Sequence, residues 1–129
     1  MAKRVTGIGG IFFKAEDAPS LLAWYEKHLG IKAEPWGGTA FTWQYADGSG
    51  RTGQTVWAIF PRDTGNFKNS RANHMLNYRV ENLDALLEQL AGEGVEIDPK
   101  RENSDFGRFA WITDPEGNRI ELWEPPAGE

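Results

Sequence analysis

The stretch Asp114-Pro115-Glu116-Gly117-Asn118-Arg119-Ile120-Glu121-Leu122-Trp123 joins a committed turn to a strand with a carboxylate in an unusual setting. Pro115 presets φ for the second turn position, and Gly117 supplies the left-handed backbone needed before the chain reverses. Asp114 is placed to accept a hydrogen bond from the backbone two residues on, so the three residues together predict a hairpin turn. Beyond the turn, Ile120 and Leu122 alternate onto one face of a strand, and Arg119, Glu121 and Trp123 onto the other. Glu121 therefore stands opposite the apolar side, flanked by an arginine and a tryptophan.

The order of elements that ends in this strand occurs twice. Val5 to Lys14 is β-branched, aromatic and glycine-rich, which predicts a strand with room for close backbone approach. Asp17 is placed to cap a helix with Pro19 in its first turn, Leu21, Leu22, Tyr25 and Leu29 at helical spacing, and Gly30 as its stop. Short strands are expected at Ile31–Glu34, Ala40–Tyr45 and Gln54–Phe60, the last two joined by Asp47-Gly48-Ser49-Gly50. The order returns 65 residues on, with Asn82 in the place of Asp17. Met75–Val80 reads as a strand and Leu83, Leu86, Leu87 and Leu90 as a helical stripe ended by Gly92 and Gly94. Strands are then expected at Val95–Ile97, Phe106–Thr113 and Asn118–Glu124. The expected fold is α+β: two βαβββ modules pairing into one curled mixed sheet, with both helices on its outer face and a groove on its inner one. Residues 1–129 read as a single domain, with module one at 4–60, a polar linker at 61–73 and module two at 74–125.

Composition sets the broad class. The chain has 129 residues, 26% charged and 40% hydrophobic, with a net charge of -5. Its lysines and arginines are scattered, so a nucleic-acid surface is not expected. No apolar run has the length of a membrane span or signal peptide, and no membrane partner is expected. The absence of cysteine excludes disulfides, thiolate metal sites and cysteine nucleophiles. A chain that needs no disulfides suits the cytoplasm. Six tryptophans and seven phenylalanines ask for a role.

The paired modules, Trp24-Tyr25 followed by Leu29-Gly30, and Asp114 to Asn118 before Ile120-Glu121-Leu122 together resemble the vicinal oxygen chelate superfamily. That superfamily includes glyoxalase I, extradiol dioxygenases, fosfomycin-resistance enzymes and bleomycin-binding resistance proteins. The resemblance covers nearly the whole chain and implies the glyoxalase/bleomycin resistance/dioxygenase fold; one scaffold serves unrelated chemistries, so it does not by itself assign an activity. It also implies a homodimer. The family's metalloenzymes place one ligand on the first and one on the last strand of each module. Those positions fall here on Gly10, on Ala58 (Trp57 or Ile59 if the register shifts), on Met75 (His74 if the strand carries a bulge) and on Glu121. The intramodule spacings, 48 from Gly10 to Ala58 and 46 from Met75 to Glu121, are nearly equal. Glycine, alanine and a thioether are unsuitable donors for the divalent ions of this family. No metal or other cofactor is therefore expected, and His74 and Glu121 are the only weak metal candidates.

The leading functional reading is a protein that binds a small molecule in an aromatic-lined groove. If it is an enzyme, it is a metal-independent, glyoxalase-like lyase or isomerase with Glu121 as the catalytic acceptor or base. An ion pair between Glu121 and Arg119, or another arginine across the sheet, is the competing account of the same residue. Trp57, Met75, Tyr78, Trp111 and Trp123 are the expected groove residues, with Trp43 a further strand tryptophan. Trp36, Phe106 and Arg108 are expected at the rim beside Asp105. Trp24 and Tyr25 read as core, and His28 as a cation at a helix C-terminus. Two alternatives stay open. One is a divalent-metal-dependent lyase or isomerase of the glyoxalase I type; the other is a drug-sequestering resistance protein.

Overall fold

The computed structural model describes residues 4–68, 70 and 72–127. Its elements run β1 (Val5–Ala15), α1 (Ala18–Leu29), β2 (Gly38–Gln44), β3 (Thr52–Pro61), β4 (His74–Val80), α2 (Leu83–Gly92), β5 (Glu96–Ser104), β6 (Gly107–Thr113) and β7 (Arg119–Glu124). Among the described residues the strands form one sheet in the order β2-β3-β1-β4-β7-β6-β5. In each half the first strand pairs in parallel with the last, β1 with β3 and β4 with β7. The halves meet at the antiparallel β1–β4 pair.

Both helices begin with the same device. Asp17 Oδ1 accepts from Ser20 N–H (3.1 Å) and Asn82 Oδ1 accepts from Ala85 N–H (3.1 Å), each satisfying an amide that the helix cannot. Gly30 closes α1 in the left-handed region at φ 71°. The Asp114 turn forms as its residues demand. Asp114 Oδ1 accepts from Glu116 and Asn118 N–H (both 2.9 Å), while Gly117 adopts φ 86°.

One expected strand is missing. Ile31–Glu34 does not pair; Glu34 N–H instead donates to Gly38 O (2.7 Å) and Gly37 N–H to Glu34 O (2.9 Å), closing a turn. Pro35 disfavours continuation there and Gly37 takes φ 99°, so the segment folds back onto β2. The first half therefore contributes three strands and the second four. β5, expected as three residues, extends to nine.

Each helix covers one half of the same sheet face. Phe13, Ala15, Trp57 and Ile59 pack with Ala18, Leu21, Leu22 and Tyr25 of the α1 layer. Val80, Ala110 and Leu122 pack with Leu83, Leu86 and Leu87 of α2. Full burial of each such leucine contributes about 1.5–3 kcal/mol. A third cluster, Phe12, Ala58, Phe67, Met75 and Trp111, fills the opposite, inner face.

Candidate functional site

The inner face is where the sequence-derived positions come together. Glu121 lies in register with Asn77 across the β4–β7 pair and with Trp111 across β6–β7. Asn77 Nδ2 donates to Glu121 Oε1 (2.6 Å), and Trp111 Nε1–H donates to Oε2 (2.9 Å). Asn77 is 1% exposed and Trp111 is also buried. Burial pushes the Glu121 carboxyl above its usual range, against the opposing pull of the two donors. Arg119 does not pair with it. Its Nη1 instead meets Asp98 Oδ2 (2.9 Å) and its Nε donates to Asn66 O (3.1 Å). The ion-pair account of Glu121 is thereby replaced by one in which both oxygens are held by neutral donors.

Glycines in β1 make space for this arrangement. Register shifts fall between Val5 and Gly7 and between Ile8 and Gly10. A Cβ on Gly9 would run into Asn77 Oδ1, stand 2.8 Å from a Trp123 ring carbon and 3.0 Å from Arg79 Cγ. One on Gly10 would strike the Phe12 ring. Across this bare backbone Arg79, 2% exposed, reaches Gln54 O (3.3 Å) and Tyr45 Oη (3.4 Å), with its guanidinium 5.2 Å from the ring centres of both Trp43 and Trp123. Trp123 Nε1–H donates to Phe106 O (2.7 Å).

Asn77 and Arg79 were not anticipated as site residues. The signal was present: Met75, Asn77 and Arg79 alternate on β4 against Leu76, Tyr78 and Val80, so one face of a central strand is polar at two of three positions.

Other expectations need correction. Trp57 and Tyr78 face the helices, in the α1 and α2 clusters respectively, because β3 and β4 each turn the neighbouring residue inward. His74 is exposed and lies against Phe13, ring centres 5.6 Å apart, away from Glu121. The bulges lie in β1, so Met75 and not His74 points inward. Trp24 is half exposed beside His28, whereas Tyr25 packs on Trp57. Trp36 and Phe106 are exposed, and Arg108 pairs with Asp84 (2.9 Å) on the helix side. Asp105 is exposed at the β5–β6 turn.

Of the aromatic side chains expected to line an open groove, Trp111 packs with Phe12 and Phe67, and Trp123 stacks on Phe109. Phe67, carried in from the 61–73 segment, is 0% exposed and sits edge-on to Phe60. A cavity of about 500 Å³ lies beside Arg119 and one of about 60 Å³ beside Arg79 and Trp123.

The residues do not fit a divalent metal. Gly10, Ala58, Met75 and Glu121 do share the inner face, but the first three supply no hard donor, and Ala58 and Met75 are buried among aromatic rings. Among the described residues no group of three His, Asp or Glu side chains gathers anywhere.

The sequence pattern of the glyoxalase/bleomycin resistance protein/dioxygenase superfamily matches residues 7–122. The chain belongs to that superfamily. Solved structures with the same fold include methylmalonyl-CoA epimerase from Mycobacterium tuberculosis, with TM-score 0.58 and 22% identity over 98% of this chain and 93% of that one. A methylmalonyl-CoA epimerase in complex with methylmalonyl-CoA and NH4+ has TM-score 0.68 and 16% identity over 97% of this chain and 98% of that one. A variant of the Streptomyces coelicolor enzyme in complex with 2-nitronate-propionyl-CoA gives the same four values. At these identities the likeness is one of fold alone. No curated protein matches the chain. Among the described residues no helix is long and apolar enough to cross a membrane.

Proposed function

We propose that this superfamily member binds a small organic molecule on the inner face of its sheet without a resident metal. In this reading Glu121 accepts a hydrogen bond or a proton from the ligand. The observation that carries the reading is the engagement of both Glu121 oxygens by neutral donors, Asn77 Nδ2 and Trp111 Nε1, at a position the family uses for metal ligation. Each carboxylate oxygen retains a second lone pair after its hydrogen bond, so the group can still accept from a ligand N–H or O–H. Its raised proton affinity suits a general base, which is the role it takes if the protein turns over its ligand. Asn77 and Trp111 then fix the carboxyl plane, and the buried Trp111 and Trp123 give the inner face its apolar character.

Residues 1–129 act in this reading as one domain, with 61–73 part of the site through Phe67. The protein works as a homodimer, for which the partly exposed Ile8, Ile11 and Leu76 of the central strands supply apolar surface.

Benzamidine, a planar aromatic cation, serves as a probe. Titration followed by the Trp111 Nε1–H resonance should give a saturable shift, and Glu121→Gln should weaken it about tenfold, the loss of one charge-assisted hydrogen bond. Equal binding by both proteins, or none by either, would remove Glu121 from the ligand site.

A further inference from the structure

We infer that the cavity at the start of β7 is a binding site for the anionic group of a small organic ligand, a carboxylate or a phosphate. The space of about 500 Å³ is lined by Lys68, Ser70, Glu96, Asp98, Pro99 and Arg119, together with Ile97. Its volume lies within the range of small-molecule sites.

Three observations carry the assignment. The first is a buried cation open to the cavity. The Arg119 side chain is 8% exposed; its Nε and Nη1 are taken by Asn66 O and Asp98 Oδ2, while its Nη2 meets no hydrogen-bond acceptor among the described residues. The second is the meeting of two cations at this wall. Lys68 Nζ (2.7 Å) and Arg119 Nη1 (2.9 Å) converge on the same oxygen, Asp98 Oδ2. Lys68 foremost, with the Lys100 backbone N–H and Arg119, holds the Asp98 carboxyl far below its usual range, so it stays ionised. With one carboxylate oxygen shared between them, both cations keep donors for a further acceptor. The third is backbone strain. Lys68 is the one described non-glycine residue at positive φ, 43°, and it lines the cavity.

The site joins the Glu121 cluster through one side chain. The Arg119 guanidinium lies 5.3 Å from the ring centre of Trp111, whose N–H binds Glu121. Ile97 and Pro99 supply an apolar wall for the rest of the ligand. The anion site does not depend on the role assigned to Glu121.

The test is an NMR titration with inorganic phosphate and, separately, with benzoate, at constant ionic strength so that screening does not vary. The Trp111 Nε1–H and Arg119 Nε–H resonances report. At least one probe should saturate both. Lys68→Gly removes one cation and relieves the positive φ, so it should weaken binding about tenfold while its Tm holds or rises. Glu121→Gln, read on the Arg119 Nε–H resonance, should still saturate with the anion and bind it no more weakly, because the variant loses a negative charge near Arg119, and this separates the site from the preceding proposal. Saturation by phosphate alone or by benzoate alone supports the site and names its group. Saturation by neither, or equal affinity in Lys68→Gly, would overturn it.

Discussion

Replacing Phe67 by alanine tests whether the 61–73 segment is part of the inner-face core or merely crosses it. The ring is fully buried, packs with Phe12, Ala58, Met75 and Trp111, and has Lys14 Nζ 5.0 Å from its centre. Loss of such a ring costs its transfer free energy plus the void left behind, about 3–5 kcal/mol in total. A folded domain has only about 5–15 kcal/mol of stability, so the variant should remain folded but be severely weakened. At about 2.1 cal/mol/K per residue, the chain has an unfolding entropy of roughly 270 cal/mol/K, so each kcal/mol is worth about 4 °C in Tm. The expected fall is roughly 11–18 °C. Urea unfolding, followed by tryptophan fluorescence and by far-ultraviolet circular dichroism, measures the free energy. Thermal melts check the Tm. A loss below about 1 kcal/mol, with coincident transitions, would refute the reasoning, because it would mean that the ring leaves its site without leaving a void.

Two further expectations follow from Glu121 and Gly9. Burial raises the Glu121 pKa above its ordinary value of 4.5, so the folded state binds this proton more tightly than the unfolded chain. Its contribution is complete below that value and is lost as pH rises through the folded pKa. The stability of Glu121→Gln relative to native protein should therefore increase from about pH 4.5 upward and then level, measured by urea unfolding across pH 4–8. A flat difference would mean that the carboxyl is not desolvated. For Gly9→Ala, the added methyl meets Asn77, Trp123 and Arg79 at once, so about 1–3 kcal/mol should be lost. The Trp111 Nε1–H resonance should shift as Asn77 moves. An unperturbed resonance would show that the bulge absorbs the methyl.

Much of the frame was legible because it is local. Asp17, Asn82 and Gly30 each act within one helical turn, and Asp114 to Asn118 form their turn from their own side chains. The two faces of β7 follow from alternation alone. The unread parts depend on distant pairing. Whether Trp57 or Ala58 points inward rests on the β3 register, fixed by pairing Gly10 with Val56 across 46 positions of sequence. The side of β4 that carries Met75, Asn77 and Arg79 is chosen by what β1 and β7 present to it. Phe67 lies in a polar stretch without periodicity, and nothing near it in sequence announces that its ring goes inside.

The strand absent at Ile31–Glu34 has a consequence for the sheet's margins. The far margin, β5, carries Pro99, Lys100, Arg101 and Glu102, residues that discourage another strand from joining. β2 forms the opposite margin with the sequence Gly-Thr-Ala-Phe-Thr-Trp-Gln, which has neither charge nor proline, and its Phe41 is half exposed. The missing strand is the element that would have shielded it. The molecule is thus guarded against strand addition on one side and open to it on the other, and any end-to-end growth of its sheet begins at β2.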